Sequence, residues 1–144
     1  MENKKEKQEK QEKKEDCIFC KIASGEIPCY KLYEDEEIIA FLDAFPFLKG
    51  QALVIPKKHL APWLFDVDDK TYTKLMLYAK KIVKAVDKAI KPFKSGIVVE
   101  GIELEHVHIK IFPFPKTGLL GYPSKIEVSK EEMEEIAEKI RKEL

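Results

Sequence analysis

The chain has 144 residues, enough for one domain that buries a core over most of its length. Its 26 basic and 26 acidic residues cancel, so no global field draws it to nucleic acid or to an anionic membrane. Charged residues make up 36% of it, whereas Asn occurs once and Gln three times, a bias of heat-adapted proteins that points to a thermophilic source.

Residues 1–16 are polar after the initiator, with six Lys against six Asp and Glu. They have nothing to bury and are expected to form a charged flexible tail, leaving residues 17–144 as the folded domain. They lack the apolar run of a secretory signal, and no apolar stretch reaches membrane-spanning length. The expectation is a cytoplasmic protein without membrane contact. In a reducing compartment, Cys17 and Cys20 at C-x2-C spacing mean metal or redox chemistry rather than a structural bridge. Cys29, next to Pro28 in a turn, reads as a bystander thiol.

Residues 24–28 form a turn by composition. Short strands are expected over residues 30–33 and 37–42, around the acidic turn 34–36. A third covers residues 52–55 and is halted by Pro56. A helix follows, capped by Asp68 or Asp69, with Tyr72, Leu75, Met76, Ala79, Ile82, Val83, Val86 and Ile90 at helical spacing. Pro92 stops it. Residues 97–99 and 105–112 read as the last two strands. Ser129 and Glu132 make a capping box before a short helix that carries Met133, Ile136, Ala137 and Ile140. Five strands and a central helix give an α+β domain.

The three histidines, His59, His106 and His108, are scarce enough to matter. Strand alternation puts His106, His108 and Lys110 on one face, with neighbours about 7 Å apart, and turns Val107, Ile109 and Ile111 to the core. The bland alternative is a polar face in water. Two thiols and two imidazoles are also a common donor set for structural zinc, and Cys17, Cys20, His59 and His106 supply it.

Four ordered segments resemble the histidine-triad (HIT) nucleotide-binding proteins over about residues 17–113. They are Cys17-Ile18-Phe19-Cys20-Lys21-Ile22 running on to Gly25-Glu26-Ile27-Pro28, and Ala40-Phe41-Leu42-Asp43. The third is Gly50-Gln51-Ala52-Leu53-Val54-Ile55-Pro56-Lys57-Lys58-His59, with Gln51 where a histidine is usual. The fourth, His106-Val107-His108-Ile109, is similar to the first two members of the triad. The resemblance implies a HIT-like fold: an antiparallel sheet of about five strands with a central helix and a short C-terminal one.

It also implies a chemistry. The middle histidine, here His108, would attack the α-phosphorus of a nucleotide conjugate and form a covalent nucleotidyl-histidine that water hydrolyses. A neutral imidazole whose other nitrogen is held by a backbone carbonyl suits that role. Ile18, Phe19, Ile22 and Phe41 would line the pocket for the base, a purine by expectation, and Asp43 would take the ribose. Family members with the same cysteine pair bind zinc through the positions of Cys17, Cys20, His59 and His106, and a homodimer is expected. The dimer would use the helix near residues 69–91 and the last strands, with Leu75, Met76, Tyr78 and Ile82 as its apolar surface.

Departures accompany the likeness. The third triad position is Lys110, read as a catalytic cation for a phosphate oxygen. The usual asparagine before the last loop is Val99, and the phosphate-binding loop is shortened to Ile102-Glu103-Leu104-Glu105, whose carboxylates would repel phosphate if they face it. Two functions remain: a nucleotide hydrolase or nucleotidyl transferase, or a zinc-stabilised binding module with weak or no turnover. Removal of adenylate from nucleic-acid ends is disfavoured by the balanced charge.

Overall fold

The computed structural model describes residues 16–118 and 125–144; the expected tail, apart from Asp16, lies outside them. In chain order the elements are α1 (Ile18–Ala23), β1 (Lys31–Glu34), β2 (Ile38–Leu42), β3 (Ala52–Pro56), a 3-10 turn (Leu64–Asp66), α2 (Asp69–Ile90), β4 (Lys94–Val98), β5 (Ile109–Phe114) and α3 (Lys130–Arg141). The strands form one sheet in the order β1-β2-β3-β5-β4, every pairing antiparallel. No described helix is long and apolar enough to cross a membrane.

Capping chemistry sets the ends of both long helices. The Asp68 carboxylate accepts the Thr71 amide at 2.7 Å, and Ser129 Oγ accepts the Glu132 amide at 3.1 Å. Each satisfies a backbone donor that the first helical turn leaves without a partner. Between β1 and β2 the Asp35 carboxylate accepts the amides of Glu37 and Ile38, both at 2.8 Å, which fixes the acidic turn.

The sheet is covered on both faces, which is why β2 and β3 are buried at every position. On one face Ile38, Ala40, Val54, Ile109 and Ile111 pack under Leu75, Ala79, Ile82 and Val86 of α2 and Met133, Ile136 and Ile140 of α3. On the other, Ile39, Phe41, Leu53 and Ile55 pack with Phe19 of α1. Period-two alternation thus splits the central strands between a helical layer and the layer that carries the site.

Four expectations need correction. β4 spans Lys94–Val98 rather than residues 97–99. α1 was not anticipated. The last strand starts at Ile109 rather than residue 105, so His106 and His108 precede it, although Val107 and Ile109 still face the helical layer. Leu75 and Ile82 are fully buried within the protomer, and Tyr78 is engaged by Tyr33 and Asp35, so these three are not a free dimer surface. α2 is covered by the sheet and by α3 together, which consumes a wider stripe than one partner would.

Candidate functional site

The segment from Cys17 to Ile22 joins two neighbouring sites. Cys17 is the N-cap of α1, its sulfur accepting the Cys20 amide at 3.4 Å. One turn of helix therefore presents both thiols together. Opposite them stand His59, just past β3, and His106, just before β5. Cys17 Sγ lies 3.4 Å and Cys20 Sγ 3.5 Å from His106 Nδ1, and Cys20 Sγ is 3.3 Å from His59 Nδ1. All four donor atoms fall within 4.8 Å of one another. Tetrahedral zinc with N and S ligands separates its donors by about 3.3–3.8 Å, so the donor types and spacing fit such an ion.

The orientation of His106 fits as well. Its Nε2 donates to the Pro56 carbonyl at 2.7 Å, which leaves Nδ1, the atom facing both thiols, without a proton. Burial lowers the pKa of this ring to about 4, against the opposing pull of that carbonyl, so it is neutral and ready to ligate.

Phe19 links this cluster to a cavity of about 660 Å³. Its ring meets those of His106, His108 and Phe41 edge-on, at centroid distances of 5.8, 5.2 and 5.9 Å. All five residues expected to contact nucleotide, Ile18, Phe19, Ile22, Phe41 and Asp43, line the cavity, as do His108 and Lys110. The structure brings every sequence-derived site residue into these two adjoining places.

His108 is 4% exposed, and its Nδ1 donates to the His106 carbonyl at 2.7 Å. That bond fixes the tautomer and leaves Nε2 as the lone-pair nitrogen. Burial lowers its pKa most, the backbone carbonyl opposes that, and the Lys110 ammonium lowers it further. The result is a neutral imidazole with one unprotonated nitrogen in a cavity of apolar and charged walls, a group with the lone pair a nucleophile needs.

Two features of the site escaped sequence reasoning. Gln51, 2% exposed, donates Nε2 to Asp43 Oδ2 at 2.9 Å and accepts the Phe47 amide at 2.8 Å, while the Phe45 amide donates to Asp43 Oδ1 at 2.9 Å. Asp43 is thus held from both oxygens. The only signal for this was a lone amide in a run of apolar residues. The second feature is Glu100, whose Oε1 lies 2.5 Å from Lys110 Nζ. Lys110 is therefore paired rather than free, and Glu100 and Glu103 both line the cavity.

Residues 24–116 match the HIT domain family. The chain belongs to the HIT family. It is 39% identical over 132 residues to an adenosine 5'-monophosphoramidase of Schizosaccharomyces pombe, covering 86% of this chain and 95% of that one. A HIT-like protein of Bartonella henselae superposes with a TM-score of 0.77 at 33% identity, over 91% and 98% of the two chains. A zinc-bound histidine-triad protein of Mycobacterium smegmatis gives 0.73 at 26% identity, over 89% and 92%.

Proposed function

We propose that this protein is a nucleotide hydrolase or nucleotidyl transferase that acts on the α-phosphate of a nucleotide conjugate through His108. The observation that carries the reading is the His108–His106 carbonyl bond at 2.7 Å, which leaves Nε2 unprotonated in a cavity lined by Ile18, Phe19, Ile22, Phe41 and Asp43. Nε2 bonds to the α-phosphorus as the phosphorus–leaving-group bond breaks, and an amine leaving group departs with a proton from solvent. Water then cleaves the phosphorus–nitrogen bond, releasing the nucleoside monophosphate and restoring the imidazole.

The apolar residues would hold the base, a purine in this reading, and Asp43, fixed by Gln51, would accept the ribose hydroxyls. Lys110 stands where the resemblance implies a third histidine. There it would offer its charge to a phosphate oxygen once Glu100 yields it. Adenosine 5'-phosphoramidate is the probe: the parent should release ammonia and AMP, and His108→Ala should not. Unchanged turnover in His108→Ala would refute the reading. Lys110→Ala should weaken AMP binding, and Lys110→His should raise turnover.

Cys17, Cys20, His59 and His106 would hold one zinc ion. When bound it would supply a structural cross-link between α1 and the ends of β3 and β5, with four protein donors and no open position. The functional unit would be a homodimer formed by α2 and the last strands. Leu77, Phe93 and Ile97, all exposed, and the outer edge of β4 would supply the surface.

A second reading, a zinc-stabilised binding module with weak turnover, is favoured by the pairing of Lys110 with Glu100. A site that lacks free donors for developing charge loses its largest catalytic contribution. Binding of AMP without any hydrolysis of the phosphoramidate would select it.

A further inference from the structure

Five side chains charged at neutral pH line the cavity beside His108: Asp43, Glu100, Glu103, Lys110 and Lys125. Three carboxylates face two ammonium groups, so the charged side chains of the described walls sum to net negative. Lys110 is compensated already, since its Nζ sits against Glu100 and its side chain is 16% exposed. Lys125 lies over the Phe47 ring, 6.0 Å from its centroid, close to the Asp43–Gln51 corner. Residues 119–124, outside the described part, read Leu-Leu-Gly-Tyr-Pro-Ser and add no Asp, Glu, Lys or Arg.

Both glutamates are solvent-exposed, but the backbone that carries them is fixed at the cavity wall. Val98 of β4 pairs with Lys110 of β5, and the chain leaves the sheet just beyond it, which sets Glu100 within reach of Lys110. Gly101 then turns with φ +65°, and a Cβ there would meet the Pro62 carbonyl oxygen at 3.0 Å, so the loop lies tight against Pro62. On the far side of Glu103, Leu104 packs on the layer of Phe19, Phe41 and Leu53. The loop is pinned on both sides of its carboxylate.

We propose that Glu100 and Glu103 set the number of phosphates this site accepts, admitting one and rejecting further ones. The inference rests on the nucleotide reading above. It narrows the substrate to a nucleoside monophosphate joined to an uncharged or cationic leaving group. Nucleoside di- and triphosphates and dinucleoside polyphosphates are excluded. Each extra phosphate brings at least one more negative charge to a wall where, beside the Glu100–Lys110 pair, the described residues set Asp43 and Glu103 against Lys125. At about 7 Å in a water-like medium, one like charge weakens binding about threefold; Glu103 exerts this in full, and Glu100, paired with Lys110, adds less.

Calorimetric titration of the full chain with adenosine, AMP, ADP and ATP, at low salt and without divalent cations, tests this. AMP should bind, ADP about threefold more weakly and ATP more weakly still, with the gap shrinking at high salt. In Glu100→Gln/Glu103→Gln the AMP–ADP gap should close. If that variant does not fold, the salt dependence of the parent's gap decides. ADP or ATP binding as tightly as AMP, or a gap unmoved by salt or by the double substitution, overturns the inference and leaves the nucleotide reading standing. Failure of adenosine and AMP alike to bind overturns both.

Discussion

Removing metal from the Cys17–Cys20–His59–His106 quartet should destabilise the fold markedly. Cys20, His59 and His106 are buried, and the thiol-to-imidazole separations of 3.3–3.5 Å fall in the range that a tetrahedral ion would require. The site also ties α1 to the ends of β3 and β5, and Phe19 of α1 rests on both His106 and His108. An ion held at about a thousand times its dissociation constant stabilises by about 4 kcal/mol. For a chain of this size, about 3 °C of melting temperature follows each kcal/mol, so chelation should lower Tm by about 12 °C. Scanning calorimetry of protein as purified, after chelation and after zinc is restored reads this directly. Elemental analysis should find about one zinc per chain. Cys20→Ser should melt near the chelated parent and gain nothing from zinc. Protein free of metal as purified, with melting curves that superpose with and without zinc, would rule out a structural zinc at this quartet.

Ile82, fully buried between α2 and the sheet, should cost about 3 kcal/mol when cut to alanine, read as a shift in urea midpoint at constant slope. Burial alone would raise the Asp35 carboxyl, but the Tyr78 hydroxyl, the Glu37 and Ile38 amides and Lys74 outweigh it and hold it well below the usual carboxylate range. Its contribution is therefore present above the unfolded carboxylate pKa of about 3.9 and lost as pH falls through the folded value. Asp35→Asn should flatten the acid side of a Tm-against-pH curve below about pH 4; an identical slope would show that the group is not coupled to folding. Light scattering at micromolar concentration should give twice 16.7 kDa, and Ile97→Lys should shift it toward the monomer; a parent at 16.7 kDa would dismiss the dimer.

Much of the fold could be read from the chain because local chemistry and tertiary packing agree. Asp68 and Ser129 cap where their side chains predict, and the apolar stripe from Tyr72 to Ile90 meets the core. Alternation placed Val107, Ile109 and Ile111 on the core side even though the strand itself starts late. α1 was hidden because six residues are too few to display a period, and its cap is a cysteine rather than an ordinary capping residue. Leu75 and Ile82 were misassigned because helical spacing counts apolar residues but not how many partners cover them.

The site was legible to different depths. The metal-type quartet and the cavity residues followed from motif resemblance, and the structure brings them together. The Glu100–Lys110 pair depends on the register Val98↔Lys110, which sequence spacing does not encode. The Asp43–Gln51 contact likewise needs the turn that folds residues 43–51 back on themselves.

His108 is proposed as the nucleophile. Protein mixed with adenosine 5'-phosphoramidate, quenched within the first turnovers and examined intact by mass spectrometry, tests it most directly. A mass increment of one nucleotidyl group is predicted, mapped to the peptide that contains His108 and absent in His108→Ala. An adduct that persists in His108→Ala, or rapid turnover by the parent with no adduct at any quench time, would exclude His108 as the nucleophile.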